Sequence, residues 1–154
     1  LIGKTRFSAA AIGGGFHKVY RAIVCGVPEP REGRIDLPIR REKEEEMRRI
    51  VAEDGQRAVT NYKVVSDNGE YSLVDFTLET GRTHQIRVHM SHIGYPLIGD
   101  PMYGEVSELI DRQALHCAVV GFEHPVSREW MEISCPLPED MAKLCEQFGL
   151  KIEE

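Results

Sequence analysis

Apolar and polar positions change period along this chain, and the changes mark out its elements. Across Leu73-Val74-Asp75-Phe76-Thr77-Leu78, the residues Val74, Phe76 and Leu78 fall on one face at period two, the pattern of a half-buried strand. Lys18 to Val24 alternates too, with Val19, Arg21 and Ile23 on one side and Tyr20, Ala22 and Val24 on the other. That spacing predicts a strand with apolar contact on both faces, ended by Gly26 and Pro28. Ile86, Met90 and Ile93 then recur at helical spacing, and Gly94 supplies a C-terminal stop.

Turn signals place the remaining elements. Asp67-Asn68-Gly69 predicts a hairpin joining strands over residues 58–65 and 70–78. Residues 7–16 are rich in small side chains and read as a short helix ending at Gly13-Gly14-Gly15. Residues 28–33 read as a turn, 34–39 as a short extended piece and 99–101 as a loop. Residues 108–113 form a short turn or helix leading into the apolar run 114–120. A strand comes next over 129–134, and Pro138 stands near the first turn of a terminal helix. Residues 40–57 support two readings. Their charge density suits a helix, whereas Met47 to Val51 followed by Glu53-Asp54-Gly55 suits a hairpin, and the Asp-Gly pair favours the latter. Hairpins with a few interspersed helices predict an α+β domain, a mostly antiparallel mixed sheet with flanking helices.

Length and composition narrow the class. At 154 residues the chain is one domain's worth, with no second domain, repeat or linker. Apolar residues make up 42% and charged residues 29%, ordinary values for a globular protein. No apolar run approaches the roughly 20 residues that span a bilayer. The start, Leu1-Ile2-Gly3-Lys4, has neither signal-peptide features nor an initiator Met, which predicts a chain that begins inside something longer or was processed. Cys25, Cys117, Cys135 and Cys145 show no paired spacing and read as reduced thiols of a cytoplasmic protein.

Net charge is −6, against a protein held to nucleic acid by bulk charge. The acid is local, however, concentrated in residues 42–54 and 139–154. Positive charge gathers at Lys4, Arg6, Lys18 and Arg21, and in Gly81-Arg82-Thr83-His84-Gln85-Ile86-Arg87-Val88-His89-Met90-Ser91-His92. That last cluster sits where the strand gives way to the helix, a place where first-turn N–H groups face an anion. Arg87 flanks the apolar stripe and needs a partner there, since an unpaired buried charge costs several kcal/mol. Its fork matches a carboxylate or a phosphate. The alternative makes Arg87 a structural salt bridge and Arg82 a surface residue. His84, His89 and His92 lack a carboxylate at metal-ligand spacing, so they read as structural or RNA-contacting, with no metal. Tyr20 reads as core, or, flanked by Lys18 and Arg21, as a ring on which a base stacks.

These residues carry a family resemblance. The run Gly81 to His89, then Gly94-Tyr95-Pro96-Leu97-Ile98-Gly99-Asp100 and Tyr103-Gly104, resembles the RluA family of pseudouridine synthases. Lys18-Val19-Tyr20-Arg21-Ala22 resembles that family's tyrosine motif. Gly55 to Tyr62, and Leu115-His116-Cys117-Ala118 through His124-Pro125, match in order and spacing. The resemblance covers nearly the whole chain. It implies the pseudouridine synthase fold and an enzyme, without cofactor, that isomerises uridine in rRNA or tRNA after flipping the base out of its stack. By motif match Tyr20 packs against the base and helps handle its ring proton. Arg87 pairs with the catalytic aspartate, and Leu115 lines the pocket. Arg82, His84 and Lys18 are further substrate-binding candidates.

One motif departs. The family's essential aspartate lies in an Arg-Leu-Asp-x-x-Thr-Ser-Gly-like motif upstream of the tyrosine, and Leu1-Ile2-Gly3-Lys4 resembles the residues just past that motif. Gly33-Arg34-Ile35-Asp36 comes after Tyr20 and lacks the continuation, so Asp36 is a decoy. Residues 1–154 are accordingly expected to be the C-terminal portion of a synthase domain, inactive alone. An upstream RNA-binding domain or a second chain would complete the fold. A non-catalytic RNA-binding remnant is the rival reading. In either case Arg87 is expected without an internal acid, beside an exposed groove at Tyr20.

Overall fold

The computed structural model of the chain describes residues 17–152. The short helix expected over residues 7–16 lies outside the described residues. Among the described residues, eight strands and two helices run in the order β1 (His17–Cys25), β2 (Glu32–Asp36), β3 (Ile39–Arg41), β4 (Arg49–Val51), β5 (Val59–Asp67), β6 (Tyr71–Leu78), α1 (Gln85–His92), β7 (Leu115–Glu123), β8 (Trp130–Ser134) and α2 (Glu139–Phe148). Six strands form one sheet in the order β2-β5-β6-β1-β7-β8, and every pairing in it is antiparallel. The α+β expectation holds, with β3 and β4 as a separate two-stranded arm. None of these helices is long and apolar enough to cross a membrane.

Alternation along β1 and β6 gives the sheet two buried faces. Ala22, Val24, Val74 and Phe76 turn to one side, where Ile86 and Met90 of α1 cover them. Ile23 and Leu73 turn to the other, against Met141, Leu144 and Cys145 of α2. Burying side chains such as Ile86 and Met90 contributes roughly 1.5–3 kcal/mol each, which is what holds an eight-residue helix that would not persist alone. On the α2 face, Arg21 and Asp75 sit in register on neighbouring strands and pair through two hydrogen bonds, at 2.6 and 3.0 Å. The β5–β6 turn forms as expected: Asp67 Oδ1 accepts from the Gly69 N–H, Asn68 Oδ1 from those of Glu70 and Tyr71, and Gly69 takes φ +90°.

The arm resolves the ambiguity of residues 40–57 in favour of a hairpin, but with a different turn. Arg41 faces Arg49 and Ile39 faces Val51, so residues 42–48 make the reversal, and the acidic run forms its tip. Asp54-Gly55 closes a second reversal, which brings Gln56 back to Ile39 through two backbone hydrogen bonds. Gly55 is needed there, since a Cβ would lie 2.6 Å from the Ile39 carbonyl carbon and the backbone cannot move aside. Gly81, on the same side of the molecule, has open space around it and a negative φ. Gly55→Ala is therefore expected to lower the unfolding midpoint in urea by a margin equivalent to about 1–3 kcal/mol, while Gly81→Ala stays within about 0.5 kcal/mol of the parent. Equal effects at the two positions would contradict this account of the arm.

Candidate active site

The start of α1 lacks a side-chain cap, and a hub of hydrogen bonds positions it instead. Gln85, almost wholly buried, donates from Nε2 to the Val59 carbonyl and to Thr60 Oγ1, both at 2.9 Å. Its Oε1 accepts from Thr80 Oγ1 at 2.7 Å and from the Arg82 N–H at 3.0 Å. One turn on, His89 lies fully buried, with Nε2 2.9 Å from the Leu37 carbonyl and Nδ1 2.9 Å from Thr60 Oγ1. A carbonyl only accepts, so Nε2 carries the proton and the Thr60 hydroxyl donates to Nδ1. His89 is thus a neutral structural histidine, tied to the sheet rather than to any ligand.

The chain just before α1 is shaped by His84, whose backbone is left-handed at φ 59°. For a non-glycine residue that conformation costs on the order of 1 kcal/mol, and it turns the side chain toward Tyr103. His84 Nδ1 lies 2.7 Å from the Tyr103 hydroxyl, which also accepts the Arg49 N–H at 2.9 Å. With the phenol donating to Nδ1, the imidazole proton stands on Nε2, which has no partner among the described residues. Burial first, then the nearby Arg87 and Arg49 guanidiniums, lower the His84 pKa below its ordinary value, with Asp100 opposing.

Arg87 meets Asp100 in a two-pronged ion pair, Nε to Oδ2 and Nη2 to Oδ1, each 2.9 Å. This corrects the expectation that Arg87 lacks an internal acid. Asp100 is 0% exposed and also accepts the N–H groups of Met102 and Tyr103, at 3.0 and 3.1 Å. Burial alone would raise its pKa, but Arg87 and the two backbone donors overcome that and hold the carboxyl below its ordinary value. Two guanidiniums lie over the Tyr103 ring, those of Arg48 and Arg87, at 5.0 and 5.1 Å from its centre.

Of these residues His84, Gln85 and Arg87, with Arg82 and Ile86, form one wall of a cleft of about 260 Å³. Tyr20 and Leu115, from the adjacent strands β1 and β7, form another, joined by Leu78 and Gln113. The expected groove beside Tyr20 and Arg87 is thus present. Five of the six candidate residues meet here; Lys18 is exposed on β1 and does not line the cleft. Asp36 lies on edge strand β2, half exposed beside Arg34. Sequence reasoning leaves Asp100 and Tyr103 without a role, although both stand inside the family-like run from Gly94 to Gly104. Their signal is Gly99, whose φ of +78° and contact with the Arg112 carbonyl admit no side chain and mark a tightly fitted loop. Arg87 keeps Nη1 without a partner among the described residues. The cleft's lining includes Arg82 and Arg87 and no carboxylate, and the first turn of α1 carries no acid, so the cleft is electropositive.

The model of the RNA pseudouridylate synthase family matches residues 4–92. The chain belongs to that family. Its relatives extend the likeness beyond the matched stretch, in keeping with the RluA-type motifs. An uncharacterized RNA pseudouridine synthase of Chloroflexus aurantiacus is 48% identical over 133 residues, 85% of this chain and 42% of that protein. Ribosomal large subunit pseudouridine synthase D of Zymomonas mobilis is 41% identical over 136 residues, 81% of this chain and 43% of that one. The chain therefore spans less than half the length of either relative. In fold, it resembles human RNA pseudouridylate synthase domain containing 4, with a TM-score of 0.73 at 24% identity over 90% of this chain and 64% of that one.

Two measurements test this account of the synthase-family chain. Asp100→Asn leaves Arg87 half-buried without its counter-charge, and is expected to cost about 3–5 kcal/mol in denaturant unfolding. A loss below about 1 kcal/mol would show that the pair does not hold the loop. The second measurement concerns pH. His17, His84 and His89 all have lowered pKa values, chiefly through burial, so between their folded values and about 6.5 the unfolded chain binds more protons. Stability is then expected to fall as pH drops below about 6.5 and to be level from there to pH 8, as read by urea midpoints across that range.

Proposed function

We propose that the full-length protein is an RNA pseudouridine synthase acting on a uridine of ribosomal or transfer RNA. The observation that carries this reading is the convergence of Tyr20, Arg82, His84, Arg87 and Leu115, from separate stretches of chain, on one electropositive cleft. In the proposed reaction the uridine is flipped into the cleft and its N1–C1′ bond breaks. The uracil turns, C5 bonds to C1′, the C5 proton leaves and N1 takes one up, so the product is an isomer. An aspartate from the segment preceding Leu1 starts the reaction. Arg87, held by Asp100 along one edge, offers Nη1 to that carboxylate. Tyr20 stacks on the base and helps remove its ring proton, Leu115 closes the pocket, and Arg82 and His84 supply donors to the nucleotide.

A non-catalytic RNA-binding remnant is the second reading, and the Arg87–Asp100 pair favours it, because the arginine's charge already meets one carboxylate. Tritium release from 5-tritiated uridine in RNA separates the two when measured on the full-length protein. The synthase reading expects turnover that falls at least a thousandfold on replacing the upstream aspartate by asparagine, roughly 4 kcal/mol of barrier, and falls comparably with Arg87→Ala. RNA binding without any tritium release would leave the remnant reading standing and remove the catalytic one.

A further inference from the structure

Beside the cleft runs a second groove of about 410 Å³, between the β3–β4 arm and the chain entering α1. Arg40, Arg41, Arg49 and Arg82 line it, and Asp54 is its only acid. Asp54 is engaged by Arg40 at 2.7 Å, so Arg41, Arg49 and Arg82 have no carboxylate partner among the described residues. Each is nonetheless held. Arg41 Nη1 donates to the Glu44 carbonyl at 2.5 Å, Arg49 Nη1 to that of Met47, and Arg82 Nε to that of Arg57 at 2.7 Å. Backbone carbonyls orient a guanidinium without cancelling its charge, and each of the three keeps further N–H donors free. Four arginines against one acid give this groove a charge of +3, on a chain whose total is −6.

Such a cluster of fixed, unneutralised cations fits a polyanion, since forked donors match phosphate oxygens and ordering them beforehand reduces what binding must cost. Its position narrows the polyanion further. Arg82 lines both groove and cleft, so a strand with one nucleotide in the cleft would lay its neighbouring phosphates along the groove. The acidic tip of the arm, Glu42 to Glu46, follows directly on the Arg41–Arg49 pair and would repel a strand crossing over it, so the path is confined to the groove between the arm's strands and residues 81–83.

We propose that this groove binds the phosphate backbone of the RNA next to the nucleotide that enters the cleft. The proposal rests on reading the cleft as an RNA site. It is tested by fluorescence anisotropy of a labelled RNA stem-loop on the full-length protein, across a series of salt concentrations. The doubly substituted Arg41→Gln/Arg49→Gln protein is expected to bind roughly tenfold or more weakly at about 0.1 M salt. The slope of log K against log salt is expected to become shallower by about 1.4–1.8. Arg41→Gln alone, on an exposed side chain that reaches nothing in the cleft, is expected to shift the slope by about half as much.

Unchanged affinity and slope in a folded double variant would overturn the proposal while leaving the cleft reading intact. So would weakened binding of a polyglutamate peptide with RNA binding untouched, which would assign the groove to an acidic protein. If the double variant does not fold, the single variant's slope decides. Absence of isomerisation by the parent protein would sink the catalytic reading alone, because the groove is judged by binding.

Discussion

A carboxylate with no access to water constrains everything within reach of it, and Asp100 is that carboxylate here. Leaving such a charge uncompensated costs several kcal/mol, so its surroundings are built to supply donors. Two come from Arg87 on α1 and two from the backbone of Met102 and Tyr103. The loop after Gly99 must therefore fold back over α1 at one height only. That height brings the Tyr103 ring within about 5 Å of the Arg48 and Arg87 guanidiniums, and its hydroxyl to the Arg49 N–H and His84. Arm, loop and helix start are thereby coupled through a single phenol.

The opposite wall has a different origin. Tyr20 and Leu115 come from the sheet, where β1 and β7 pair with an irregularity between Val19 and Tyr20. A bulge of this kind locally re-aims side chains, and here it lies at the residue that faces the cleft. Gln85, the first residue of α1, ties the helix wall to the same sheet through Val59 and Thr60 of β5. All four of its amide hydrogen-bonding contacts are within the protein, so it acts as a rigid spacer rather than as a group with capacity left for a ligand.

Elements whose pattern depends on one buried face are legible in the sequence. The strand of Val74, Phe76 and Leu78, the helix of Ile86 and Met90 with its Gly94 stop, and the Asp67-Asn68-Gly69 turn all stand where the periodicities put them. Residues 40–57 are harder for a physical reason. The arm buries little beyond Ile39, so no apolar period separates helix from hairpin, and the Asp54-Gly55 signal marks a real reversal that is not the hairpin's own. The site divides in the same way. Motif resemblance brings five residues to one cleft, whereas the Arg87–Asp100 pair spans 13 positions of loop and is a fact of tertiary packing. Local pattern identifies Arg87 as a cation in need of an acid, but only the folded loop shows that an acid stands inside the chain.

That pairing changes what a second carboxylate would gain by meeting Arg87. A guanidinium presents more than one edge, and Asp100 occupies the edge made by Nε and Nη2. On the proposed reading the catalytic aspartate approaches Nη1. Arg87 would then lie between two acids, its net charge toward the newcomer reduced but its position already fixed. The reduced charge weakens the attraction, since the first carboxylate screens the cation the second one seeks. The fixed position works the other way, because a long side chain normally loses about 2 kcal/mol of rotamer freedom on being ordered, and here Asp100 and the Tyr103 ring have absorbed that cost during folding. A catalytic carboxylate that must stay ionised yet remain reactive is better served by a rigid, partly neutralised cation than by a free one, which would bind it tightly and blunt its nucleophilicity. In that arrangement the buried acid tempers the arginine as well as anchoring it.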